Sequence, residues 1–301
     1  MKKFLRSLLF VALSLFAVDR AGGYMMGIII SHTHDVFGPK LRYLRDDIHE
    51  DVVLLGASRA HHHYVPSILS DSLGMSVYNV GIGGSDNIFS HYIVLQHILN
   101  RYKPKVLCLE VMVTDYCQQD DPFNTISFVA PLFGRNEAAD SIFRLAGKYW
   151  PYEVSHLYRY NAKASSYIIG LALNRQKGND NGYIPLPEPR SYPAALSEEA
   201  NIIGVDSLKL EYVQRFINLC KQNGTALVFT VSPKYTSIDL HHYDILKDIA
   251  QKNDIPFLDY HTAGLYLDHP EYFKDEIHLW DKGARFYSSL FASDLKAVLD
   301  N

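Results

Sequence analysis

The chain is poor in cysteine and tryptophan, with three and two in 301 residues, and no charge sign dominates it. Cys108, Cys117 and Cys220 are too few for a disulfide framework, and their odd number leaves at least one thiol unpaired within the chain. Cys108 stands inside an apolar run, where a buried, inert thiol is the expectation. Twenty-nine Lys and Arg face 33 Asp and Glu, for a formal net charge of -4. With no long basic run and no interleaved basic-aromatic tract, the sequence gives no electrostatic ground for nucleic-acid binding. Internal repeats and low-complexity tracts are absent. So are the HxxxH and HExxH spacings that place two imidazoles on one zinc ion. What remains is 48% hydrophobic and 21% charged residues, the profile of a globular domain with one sizeable core.

Long apolar runs are also scarce, and the one that matters is at the start. "MKKFLRSLLFVALSLFAVDRAGG" opens with Lys2, Lys3 and Arg6 and continues apolar from Ser7 to Val18. That is the plan of a secretory signal, although Leu15 and Phe16 before Ala17 make a poor cleavage site. A helix from Phe4 to Val18 would be about 22 Å long, short of a roughly 30 Å hydrocarbon core. Extending it to Ile30 gives the length but carries Asp19 and Arg20 across. The expectation is an uncleaved signal anchor over residues 1–30, basic side in the cytoplasm, with residues 31–301 outside. Cleavage and release to the periplasm, or a wholly cytoplasmic chain, are the alternatives.

Beyond residue 30, short apolar runs alternate with helix-like stretches. Strands are expected at 51–56, 76–82, 105–113, 225–233 and 255–260. Helices are expected at 65–74 (closing on Gly74), 85–102 (capped by Ser85 or Asp86), 206–222, 243–252 and 281–299. Strands that are apolar throughout and separated by helices predict a parallel sheet of about five strands covered on both faces. Between the third and fourth strands lies an insertion, about 117–205. Its middle reads as helical and aromatic-rich, and its end, "GYIPLPEPRSYP", as a Pro-punctuated loop. It is either a substrate cap or a packing subdomain.

One site stands out. "DVVLLGASRAHHHY" runs a strand into a Gly-containing turn and then Ser58, which would present a hydroxyl at the carboxyl edge of the sheet. A serine hydroxyl needs a base. "YFKDEIHLWDKGA" offers one, because Asp275 stands three residues before His278. In a loop, that spacing lets the carboxylate hold one imidazole nitrogen while the other takes the serine proton.

Ser58 in "GASR", the Gly-rich "YNVGIGGSDN" and a terminal "DEIHL" before "DKGA" together resemble the SGNH/GDSL-type hydrolase family. The resemblance covers about 50–115 and 225–299, in order, and implies a three-layer α/β/α flavodoxin-like fold; it does not cover the anchor or the helical insertion read between strands 3 and 4. It implies Ser58 as nucleophile, His278 as base and Asp275 as its orienting acid, with the amides of Ser58 and Gly84 forming an oxyanion hole. Two features depart from the family. Gly-Ala-Ser replaces the frequent Gly-Asp-Ser, and "EVMVTDY" stands where Gly-x-Asn-Asp is usual. A missing side-chain amide donor costs about 3 kcal/mol of transition-state stabilisation. Thr114 or Asn87 could supply a substitute donor, whereas an ionised Asp115 would repel an oxyanion.

His61, His62 and His63 are consecutive, so on a helix they point about 100° apart and cannot share one metal ion. His91 and His97 are mismatched on their helix, and His241 and His242 add no ligand spacing. Lys234 in "SPKY" is a candidate contact for an anionic substrate group. Tyr149, Trp150, Tyr152, Tyr158 and Tyr160 either stack on sugar rings or form core. The resulting expectation is an ester hydrolase or O-acyltransferase of the bacterial cell envelope. It would need no cofactor or metal and would act on an acylated carbohydrate or other small ester of an exported polysaccharide. The alternative is a catalytically weak or inactive SGNH-fold scaffold that partners a membrane acyl-transfer system.

Overall fold

The computed structural model describes residues 1–33, 37–172, 180–194, 204–236, 241–261, 266 and 268–300. Its centre is five short apolar runs: β1 (Val52–Leu55), β2 (Val77–Asn79), β3 (Val106–Glu110), β4 (Ala226–Val231) and β5 (Phe257–Asp259). All four pairings are parallel, in the order β2-β1-β3-β4-β5. Val52 stands opposite both Val77 and Val106, and Val106 opposite Ala226, so β1 to β4 begin level, while β5 begins opposite Phe229.

Parallel neighbours need crossovers, and helices provide them. α3 (Ser58–His63) and α4 (Pro66–Leu73) lead from β1 to β2, and α5 (Ile88–Arg101) from β2 to β3. α9 (Ser207–Asn223) precedes β4, and α10 (Asp244–Lys252) joins β4 to β5 before the terminal α11 (Asp281–Leu299). Strand alternation divides the core in two. Val53, Leu55, Leu107 and Leu109 pack with Phe89 and Ile93 of α5 and Phe216 of α9. Val52, Leu54, Val106 and Cys108 pack with Leu69 of α4 and Phe291 and Leu295 of α11. The result is the three-layer flavodoxin-like arrangement, whose strand order reverses between β1 and β3. In such sheets ligands bind outside the carboxyl ends at that reversal.

Boundaries differ from expectation where a polar side chain intervenes. α5 starts at Ile88 because Asn87, rather than Ser85 or Asp86, is its N-cap, its side chain accepting from the Ser90 amide at 3.2 Å. β2 stops at Asn79, which folds the chain back on itself. Its Oδ1 accepts from the Gly81 amide, and its Nδ2 donates to the carbonyls of Ala60 and Tyr64.

The insertion has two parts. Its middle forms α6 (Glu137–Leu145), α7 (Tyr149–Val154) and α8 (Ala164–Ala172). Tyr152 packs there in a core cluster with Phe133 and Phe143, while Trp150 is exposed. Its tail, 180–194, returns to the sheet edge: Asn79 donates to the Asn181 carbonyl and Ile184 to that of His61. Residues 173–179 and 195–203 of the expected insertion lie outside the described residues.

α1 (Lys2–His32) is continuous. Gly23, Met26 and Ile30 in its second half are buried, and it packs on α8 and on α2 (Gly38–Asp46). Residues 1–18 are exposed all round, Phe4 and Phe10 at 69% and 72%. Asp19 marks the boundary, accepting hydrogen bonds from the Ser155 hydroxyl and the amides of His156 and Leu157. The stretch from Asp19 to Ile30 is therefore held on the globule. Among the described residues no helix is long and apolar enough to cross a membrane.

Gly182 shows how tightly the returning tail is held. Its φ is +90°, and a Cβ there would lie 2.0 Å from the Asn79 carbonyl oxygen. Gly182→Ala is therefore expected to destabilise the fold by at least about 1–3 kcal/mol, read as a lowered urea midpoint. An unchanged midpoint would mean that the tail is not fixed on β2.

Candidate active site

At the end of β1, Gly56 turns the chain with a φ of +151°, and a Cβ there would sit 2.8 Å from that of Glu110. Only glycine lets the turn pass so close to β3. Ser58 follows as the first residue of α3, half-buried, with its hydroxyl at the carboxyl edge of the sheet.

His278 reaches it from a loop just before α11. The loop is closed by the Phe273–Leu279 bridge and by the Lys274 amide donating to the His278 carbonyl at 2.7 Å. Within it, Asp275 Oδ1 accepts from the amides of Ile277 (3.0 Å) and His278 (2.9 Å), an Asx-type turn that explains the D-x-x-H spacing. The same carboxylate meets His278 Nδ1 at 3.0 and 3.1 Å, and His278 Nε2 lies 2.9 Å from Ser58 Oγ. Burial raises the Asp275 pKa, but the bond and charge of His278 outweigh it and hold the carboxyl below its usual value. An ionised carboxylate fixes Nδ1–H and leaves Nε2 as the acceptor facing the serine. Ser58, His278 and Asp275 thus form one hydrogen-bonded chain.

The oxyanion candidates divide. Gly84 lies on the loop after β2, and neither its amide nor that of Ser58 donates to another group among the described residues. Thr114 lies in the 3-10 turn Val113–Asp115 after β3, its hydroxyl buried and without a partner among the described residues. One of the two N–H groups of the Asn87 amide is taken, because Nδ2 donates to the Pro122 carbonyl at 2.9 Å. Asp115 turns away: Oδ2 accepts from the Met112 amide, and Oδ1 lies 3.2 Å from His91 Nδ1. Lys234 is half-buried beside this region, and the next amide, that of Tyr235, donates to the Glu276 carbonyl within the His278 loop.

The histidine run is divided among separate partners. Lys40 Nζ lies 2.8 Å from His61 Nδ1 and 2.6 Å from the Gly81 carbonyl. His62 Nδ1 donates to the Ile184 carbonyl at 2.8 Å. His63 Nδ1 meets Ser232 Oγ at 2.7 Å, while its Nε2 accepts from the Leu279 amide at 2.9 Å. The rings of His62 and His63 both stand edge-on to His278. Among the described residues no group of three or more His, Cys, Asp or Glu is arranged to hold a metal ion.

Beneath the triad is a network that the sequence reading did not single out. Glu110, fully buried at the end of β3, accepts from the Ser232 amide (3.0 Å), the Ser232 hydroxyl (2.9 Å) and the Tyr64 hydroxyl, and pairs with Arg59 at 3.0 Å. Arg59, next to Ser58, also donates to the carbonyls of Val111 and Ser232. Since the Ser232 hydroxyl donates to Glu110, it must accept from His63 Nδ1–H, which leaves His63 Nε2 for Leu279. This chain ties the backbone beside His278 to a carboxylate on the central strand. Two signals in the sequence could have pointed to it: an acid closing the apolar run "VLCLE", and an arginine directly after Ser58.

No protein-family model matches the chain, and no curated protein matches it in sequence. Among solved structures, a crystal structure of a candidate acylhydrolase from Bacteroides fragilis is similar at 14% identity and a TM-score of 0.39, over 83% of this chain and 90% of that one. At that distance, the chemistry of the site rests on its own side chains.

Glu110→Gln keeps the shape but leaves the buried Arg59 guanidinium without its counter-charge. Urea denaturation is expected to show a loss of about 3–5 kcal/mol. A loss below about 1 kcal/mol would mean that the pair does not anchor the turn.

Acid should loosen the same region. Burial, with the His278 charge adding to it, lowers the His62 pKa from 6.5 to about 4. Between those values the unfolded chain binds the proton and the native state does not, so stability rises with pH across the window. It is full above 6.5 and lost as pH falls toward 4. The limit for this one group is about 3 kcal/mol. His62→Gln should flatten the fall in urea midpoint between neutral pH and pH ~5; identical slopes would remove His62 as its source.

Proposed function

We propose that the chain is a serine-dependent acyl-ester enzyme of the SGNH type. The observation that carries this reading is the continuous chain from Ser58 Oγ to His278 Nε2 (2.9 Å) and from His278 Nδ1 to Asp275 (3.0 Å). His278 takes the proton as Ser58 attacks an ester carbonyl. The developing oxyanion is met by the amides of Ser58 and Gly84, with the unpartnered Thr114 hydroxyl as a third donor. Collapse expels the alcohol, which His278 protonates. Water as the second nucleophile gives hydrolysis, and a sugar hydroxyl gives O-acyl transfer. Lys234 is the residue proposed to meet an anionic part of the substrate, which we infer to be an acylated carbohydrate of the cell envelope. The reaction needs no metal or organic cofactor.

The proposed location follows from α1. Apart from Ser7 and Ser14, residues 1–18 are apolar or basic, and they are exposed on every side, which suits lipid better than water. Lys2, Lys3 and Arg6 can snorkel to one interface and compensate a length of about 22 Å. The enzyme is proposed to hang from the cytoplasmic membrane by this helix, facing the periplasm or cell exterior. A second reading, a scaffold that retains the fold without turnover, is favoured by the missing third-block amide.

Treatment with a fluorophosphonate, read by intact mass, separates the two. One adduct is expected on the wild type and none on Ser58→Ala, with labelling of His278→Ala slowed by at least about 100-fold. A folded wild type that takes no adduct would favour the scaffold.

A further inference from the structure

A cavity of about 470 Å³ opens where α1 meets the globule. Four guanidiniums line it, those of Arg20, Arg45, Arg135 and Arg159, against a single carboxylate, Asp46. In a chain of net charge -4 this is a marked local excess of positive charge. Two of the four are compensated: Arg45 pairs with Asp46 at 2.5 Å, and Arg20 with Asp19 at 3.2 Å. Arg135 and Arg159 have no ion pair among the described residues, and they face one space. Arg159 is fixed in place, donating to the carbonyls of Tyr152 (2.8 Å) and Phe133 (3.4 Å). The guanidinium of Arg135 is exposed and makes no hydrogen bond there. Tyr24 and Ile28 give the same wall an apolar part. The cavity begins at Arg20, two residues after the exposed apolar segment ends at Val18, a rise of about 3 Å along the helix.

Cations at that position, with apolar surface continuing on one side, match one chemistry: a phosphate diester whose remainder is a pair of acyl chains. We propose that this cavity holds the headgroup of an anionic phospholipid. Arg135 and Arg159 pair with the phosphate, and the lipid tails run beside residues 4–18 of α1. The bound lipid fixes how the globule stands on the membrane. Basic pockets at the membrane surface recognise headgroups in this way. The inference rests on the proposal that α1 lies in a bilayer and is independent of the chemistry at Ser58.

The test uses the full chain. Flotation with vesicles of phosphatidylcholine alone, and of an equal mixture with phosphatidylglycerol, asks first whether α1 binds lipid at all. Native mass spectrometry from detergent containing both lipids then asks which is retained. Phosphatidylglycerol should be retained in preference, and Arg135→Gln should lower its retention about fivefold while leaving flotation with neutral vesicles unchanged. Flotation with both vesicles but equal retention of the two lipids would overturn the headgroup site and leave the anchor standing. Unchanged retention in Arg135→Gln would do the same. No flotation with either vesicle would remove the anchor and the site together. Millimolar inorganic phosphate that displaces the lipid, and binds equally well without it, would show that the site takes phosphate from solution and overturn the lipid assignment.

Discussion

The buried carboxylate of Glu110 is the constraint on which the site depends. A charge at the end of the central strand, out of water, is tolerable only when every lone pair is occupied. The partners it gathers come from two segments far apart in sequence: Arg59 and Tyr64 from the helix after β1, and Ser232 from the end of β4. Through Ser232 and His63 the same charge reaches the Leu279 amide, and so the loop that carries His278. The elbow and the D-x-x-H loop are far apart in sequence and share no strand pairing. A satisfied ion at their centre lets them agree on one geometry.

The loop after β3 is held in a different way. Lys209 Nζ, reaching over from α9, donates to the carbonyls of Thr114 and Cys117 and to Gln119 Oε1. With Asp115 directed at Met112 and His91, the backbone of this loop is set without the asparagine usual in SGNH enzymes. The segment is positioned by these contacts, and the side-chain hydroxyl it carries is that of Thr114.

Much of this was legible in the sequence, and the reasons are local. The terminal helix 281–299 and the Gly74 C-cap in left-handed conformation each depend on residues within a turn of one another. The strands were legible because burial on both faces demands unbroken apolar runs. The spacing of Asp275 and His278 could be read for the same reason, since an Asx turn needs only neighbours. Long-range features could not be read this way. Nothing near Glu110 announces that Ser232, 122 residues away, will donate to it. That Asn87 spends one N–H on Pro122, 35 residues away, is not visible from its neighbours. The three histidines look like one cluster, yet each is claimed by a different segment.

The distance along the chain between the two reacting groups has a kinetic consequence. His278 lies 220 residues after Ser58, and they meet only when the first strand and the last loop have been brought to the same edge of the sheet. Closing so long a loop comes late in folding, after the local helices and most of the strand pairings can already exist. Until then Ser58 is an ordinary alcohol, no more reactive than any other serine. A chain still being synthesised, or still threaded through a membrane unfolded, cannot form an acyl-enzyme, however much ester surrounds it. On the proposed mechanism, reactivity would therefore wait for completion of the fold.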